Sequence, residues 1–140
     1  MKRQAEYWLD SARDDLILIE EIIENEHLTH MTAFHAQQAI EKSIKAILEE
    51  KESHVPKIHN IITLKGHVEK YIKLDFDQDI FDQLNEVYID SRYPTDLGLL
   101  PDGKPPREIA EKFFSMATEI HTAIKAYLSD QPSPNVGLLD

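Results

Sequence analysis

The chain contains no cysteine, which excludes a disulfide framework and any thiolate-ligated metal centre and fits a reducing compartment. Glycine is scarce, with four in 140 residues, and the seven prolines, at 56, 94, 101, 105, 106, 132 and 134, all stand outside the long periodic segments. Punctuation of this kind marks a helical protein, because both residues disfavour helix interiors. No segment approaches the roughly 20 apolar residues of a membrane span, and the opening Met1-Lys2-Arg3-Gln4-Ala5-Glu6-Tyr7-Trp8 lacks the apolar centre of a signal peptide. A soluble, cytoplasmic protein is therefore expected. Basic residues are outnumbered fifteen to twenty-six, giving a formal net charge of -11, so the mean field repels nucleic acid and anionic membrane unless a local basic patch overrides it.

What is present is helical periodicity. Ala5, Trp8, Ala12, Leu16, Ile19, Ile22 and Ile23 gather on one side of a helix over residues 4–25. After a short Asn-Glu-His-Leu connection, Thr29 offers an N-cap to a second helix running to residue 52, with Ala33, Ala36, Ile40, Ile44, Ile47 and Leu48 inside. His35, Gln38, Lys42, Lys45 and Glu49 occupy its outward face, and so short a connection predicts an antiparallel hairpin. Asn60 or Thr63 caps a third helix to Lys73. A fourth, carrying Ile80, Phe81, Leu84, Val87, Tyr88 and Ser91, must end near Tyr93 because Pro94 disfavours helical geometry in the residue before it. Residues 94–106 form a loop, and Pro105 or Pro106 opens a fifth helix with the stripe Ile109, Phe113, Met116, Ile120, Ile124 and Leu128, ending by Ser129. The expected organisation is one all-α domain over residues 1–129, with a mobile tail at 130–140 too polar to offset its ordering entropy.

The run Phe34-His35-Ala36-Gln37-Gln38-Ala39-Ile40-Glu41-Lys42-Ser43-Ile44-Lys45-Ala46-Ile47-Leu48 resembles the second helix of HEPN domains, the higher eukaryotic and prokaryotic nucleotide-binding family. Trp8, Ala12 and Asp15-Leu16 resemble the family's first helix, and His59 with Ile62 its loop-to-helix pair. Tyr88-Ile89-Asp90-Ser91-Arg92-Tyr93-Pro94 resembles its Arg-Tyr-Pro segment. The resemblance spans about residues 5–128. It implies a four-to-five-helix up-and-down bundle, commonly a homodimer, often paired with a minimal nucleotidyltransferase as the toxin half of a toxin–antitoxin pair. It also implies that many members are metal-independent endoribonucleases carrying Arg and, four to six residues later, His. Here Arg92 is followed by Tyr-Pro-Thr-Asp-Leu-Gly-Leu-Leu, and no histidine occurs before His121, so the catalytic histidine is missing from its usual place.

Arg92, placed at the end of the fourth helix, either caps it while packing its stem on Tyr88 or holds a phosphate with its planar fork of donors. Asp15 falls within the apolar side of the first helix, and a buried carboxylate needs a partner. Arg92 or a second-helix residue such as Lys45 would supply one, as an ion pair fixing helix register. Lys42 and Lys45 are either solvated or the positive edge of a dimer groove that binds phosphate. His59 is a loop histidine closing the bundle end, or else a displaced general base working with Arg92. Tyr93 is a core-rim residue, a nucleotide-stacking surface or, by analogy with family members, an adenylylation acceptor. The histidine spacings form no metal site, the glycines cradle no phosphate, and no cofactor is called for. Three functions stay open: a nucleotide- or nucleic-acid-binding accessory subunit, a metal-independent endoribonuclease, and a non-catalytic interaction module.

Overall fold

Apolar side chains spaced three and four residues apart wind into helices that each bury one stripe. The computed structural model describes residues 1–52, 54–90 and 93–130. Five α-helices lie among them: α1 (Arg3–Ile22), α2 (Thr29–Lys51), α3 (Ile61–Val68), α4 (Gln78–Asn85) and α5 (Arg107–Ser129). The described residues include no β-strand, so the chain is all-α as its sequence implies. No described helix is long and apolar enough to cross a membrane.

Helix α2 is the axis of the bundle and touches each of the other four helices. Its buried face is rich in alanine (Ala33, Ala36, Ala39 and Ala46) between Ile40, Ile44, Ile47 and Leu48. Small residues let neighbouring helices approach closely, and the larger ones fill the layers between. Side-chain pairs set the directions. Trp8 meets Glu49 and Asp15 meets Lys42, so α1 runs antiparallel to α2. Arg107 meets Glu26 and His121 meets Leu9, so α5 runs antiparallel to α1. Helices α2 and α5 therefore run parallel to each other, with α1 antiparallel to both.

The caps explain where the shorter helices begin. Asn60 Oδ1 accepts the Thr63 amide (2.9 Å) at α3, as its sequence position predicts, and Asp77 Oδ1 accepts those of Asp79 and Ile80 at α4 (3.0 and 3.2 Å). Thr29 is not the cap of α2: it is the first helical residue, Leu28 stands at the cap, and the buried Thr29 hydroxyl has no partner among the described residues. Two helices are shorter than periodicity implies. α3 stops at Val68 rather than Lys73, and α4 stops at Asn85 rather than near Tyr93. Asn85 lends its side-chain oxygen to the Ile61 amide (2.9 Å), and beyond it the backbone turns away to pair with residues 98 and 99. Of the expected tail at 130–140, residues 131–140 lie outside the described residues.

His121 ties α5 to α1. Its Nε2 donates to the Leu9 carbonyl (3.1 Å) from a site where the residue is 6 % exposed. Burial lowers the imidazole's pKa, and the charges of Lys125 and Arg13 push the same way. Burial first, then Lys104 and His27, also lowers His30. An unfolded histidine takes up its proton at about pH 6.5, whereas these two resist it until lower pH. Unfolding thus binds protons in that window, so stability is full above it and declines as the pH falls through it. The melting temperature should drop between about pH 7.5 and about pH 5.5, and His121→Gln should make the decline shallower. An identical slope in the variant would remove His121 from the account.

Candidate functional site

Two carboxylates on the outward side of the α1–α2 hairpin each hold one histidine and one lysine. Asp15 of α1 is buried, and its Oδ1 accepts from His35 Nδ1 while its Oδ2 accepts from Lys42 Nζ, both at 2.8 Å. The partners come from the second helix, one of the two expected sources, but they are His35 and Lys42 rather than Lys45. Lys45 lies further along α2, and Arg92 lies outside the described residues. His35 and Lys42 are two turns apart on one face of α2, so a carboxylate facing the middle of that span reaches both.

Glu41 is the second carboxylate. It is buried on α2 and accepts from Lys45 Nζ (3.1 Å) and from His59 Nδ1 (3.1 and 3.2 Å to its two oxygens). Gln37 Nε2 donates to the His59 carbonyl (3.0 Å), which fastens the loop before α3 against α2. The expectation that Lys45 is solvated or edges a groove is corrected. It is 5 % exposed, with its ammonium 5.6 Å from the centre of the Trp8 ring, and Trp8 in turn donates to Glu49 (3.2 Å). Lys42 is half-buried on Asp15 rather than free. Each lysine is matched by a carboxylate, so this face offers little unbalanced positive charge to a phosphate.

His59 differs from His35 in access. Its side chain is 60 % exposed. A carboxylate only accepts, so Nδ1 carries the hydrogen toward Glu41, which in the neutral ring leaves the lone pair on Nε2. That is the arrangement of an oriented base. Nothing in it requires a metal, and no group of metal-ligating side chains occurs among the described residues.

Helix α4 ends well before Tyr93 and Pro94. Tyr88 donates its amide to the Leu99 carbonyl (2.9 Å) and accepts the Gly98 amide (2.7 Å), so the described residues 86–90 and 93–100 are non-helical arms, apart from a 3-10 turn at 94–96, pinned together at their neck. Gly98, at φ +83°, sits against the backbone of His30 in the first turn of α2, anchoring the loop to the bundle. Tyr88 and Tyr93 are 45 % and 61 % exposed. Tyr93 is therefore not a core-rim residue. Arg92 itself lies between the two tyrosines in sequence and outside the described residues.

Comparison with known proteins agrees with the architecture. The sequence matches the family model of the HEPN domain over residues 5–127, and no curated protein or solved structure matches it. With nearly the whole bundle covered, the chain belongs to the HEPN domain family, which supports a nucleotide- or RNA-related role in general terms.

Proposed function

We propose that this protein is a cytoplasmic accessory subunit that binds a nucleotide or RNA through the 86–100 loop. In this reading the working unit is one bundle domain, residues 1–129. It acts as a homodimer beside a minimal nucleotidyltransferase, in the manner of a toxin–antitoxin pair. HEPN domains often dimerise, which supports the first half of that assembly. One observation carries the binding role: two solvent-facing tyrosines stand on a loop fixed at its neck, on either side of an arginine in sequence. Every base has a face that stacks on an aromatic ring, at about 1–3 kcal/mol per base, and a guanidinium pairs with phosphate through parallel hydrogen bonds. A platform held in place beforehand loses less entropy when it binds. Lys42 and Lys45, already paired, serve the ligand indirectly by fixing the hairpin.

Calorimetric titration of the full chain with mononucleotides and short RNAs tests this. Binding by the wild type should vanish in Arg92→Ala and weaken in Tyr93→Ala by about 1–3 kcal/mol, the value of one stacked base. No binding by the wild type, or binding indifferent to Arg92→Ala, would overturn the reading.

The oriented, exposed imidazole of His59 favours a second reading, a metal-independent endoribonuclease using Arg92 and His59. Cleavage that survives chelator and disappears in both Arg92→Ala and His59→Ala would select it over simple binding.

A further inference from the structure

On the far side of α1 from the hairpin's paired lysines, a cleft separates α1 from α5. It comprises two adjoining hollows, of about 370 and 410 Å³, that share Arg13, His121, Lys125 and Ser129. On α5 the last three stand four residues apart and line up on one face. Arg13 enters from α1. Neither Arg13 nor Lys125 has a carboxylate within ion-pair distance among the described residues, although the chain carries twenty-six acids. Lys42 and Lys45 are matched in just the way these two are not.

We propose that this cleft binds a single phosphate group, free or carried by a small phosphomonoester. The donor count selects phosphate. A guanidinium, an ammonium and the hydroxyls of Thr122 and Ser129 offer more hydrogens than a carboxylate's two oxygens use, and suit the three terminal oxygens of a phosphomonoester. His121 is buried at the cleft floor with Nε2 committed to Leu9, which leaves Nδ1 as the atom that gains a proton when the ring is charged. The charged groups facing it are Arg13 and Asp10 from α1 and Lys125 from α5, with Glu6 at the cleft's other end. Glu6 and Asp10 line the first hollow and repel phosphate from it, whereas the hollow of Arg13, Thr122, Lys125 and Ser129 holds no acid, so the cleft takes one phosphate group and no RNA backbone, separately from the tyrosine loop near the opposite end of α1. An anion between Arg13 and Lys125 also cancels their repulsion of the imidazole. Phosphate binding and His121 protonation therefore favour each other, reciprocally.

The test is an NMR titration of the full chain with inorganic phosphate and, separately, glycerol phosphate, with glycerol as the uncharged control. Both anions should shift the His121 ring protons saturably, and saturation should raise the pKa read from those protons. Arg13→Gln and Lys125→Gln should each weaken binding about tenfold, the value of one charge-assisted hydrogen bond, with melting curves confirming that these exposed positions leave the fold intact. Arg92→Ala should bind as the wild type does. Tighter binding of glycerol phosphate than of phosphate identifies a phosphomonoester as the ligand, and the reverse order identifies the free ion. No saturable shift at millimolar anion, a shift with glycerol alone, or unchanged affinity in the Arg13→Gln/Lys125→Gln double variant would overturn the proposal.

Discussion

Replacing Glu41 with alanine should lower the unfolding free energy by about 3–5 kcal/mol, the usual cost of removing one partner from a buried ion pair. That is a large share of the roughly 5–15 kcal/mol that holds a domain of this size together. The substitution strands the Lys45 ammonium, which is 5 % exposed and has only the Trp8 ring to replace the carboxylate. It also releases His59 and with it part of the loop that α2 holds down. Much of the loss belongs to the unpaired charge rather than to the attraction itself. The double variant Glu41→Ala/Lys45→Met should therefore be more stable than Glu41→Ala alone, a non-additivity that urea unfolding of the two single variants and the double would measure. A loss below about 1 kcal/mol in Glu41→Ala is the value of an exposed pair and would mean that solvent reaches Lys45.

Gly98→Ala is the second substitution of large expected effect, and it acts on the loop. At φ +83° any side chain is strained, and a Cβ built there collides with the His30 carbonyl oxygen and stands 2.7 Å from its carbonyl carbon. The atoms it meets are backbone in the first turn of α2, so neither partner yields by changing rotamer. Strain at such a conformation costs about 1–3 kcal/mol and overpacking a similar amount, so the loop must lift from α2. Its neck, the paired backbones of Tyr88 with Gly98 and Leu99, would then open. Amide hydrogen exchange should show loss of protection at Gly98 and Leu99 while the centres of α2 and α5 stay protected, and nucleotide binding should weaken with it. Unaltered protection at those two amides would show that the neck does not depend on the glycine.

The helices were legible wherever burial alone decides structure. The alanine- and isoleucine-bearing stripe of α2 and the stripe of α5 are the observed cores of those helices, because spacing in sequence fixes which side a helix buries. The periodicity of Leu84, Val87, Tyr88 and Ser91 misled because nothing local marks Asn85 as the end. What stops α4 is a bond from Ile61 and a loop pairing with residues 98 and 99, both distant in the chain. The same division runs through the site. That Asp15 needs a partner is evident from its place on the apolar side of α1, but which partner depends on the register of α1 against α2, which periodicity does not encode. Lys45 looks solvated on a wheel of α2 alone, since Trp8 and the segment around His59 that cover it come from elsewhere. The Arg13–His121–Lys125 cleft was missed for a related reason: the spacing of His121, Lys125 and Ser129 is visible in α5, while Arg13 joins them only through the antiparallel packing of α1 and α5.

Photo-crosslinking of a short RNA to the full-length protein, with mass spectrometry of the attached peptide, tests most directly whether the pinned loop is where the ligand lies. The crosslinked residues should be Tyr88 or Tyr93, and Arg92→Ala should remove the adduct. Adducts confined to the outward face of α2, or undiminished in Arg92→Ala, would contradict it.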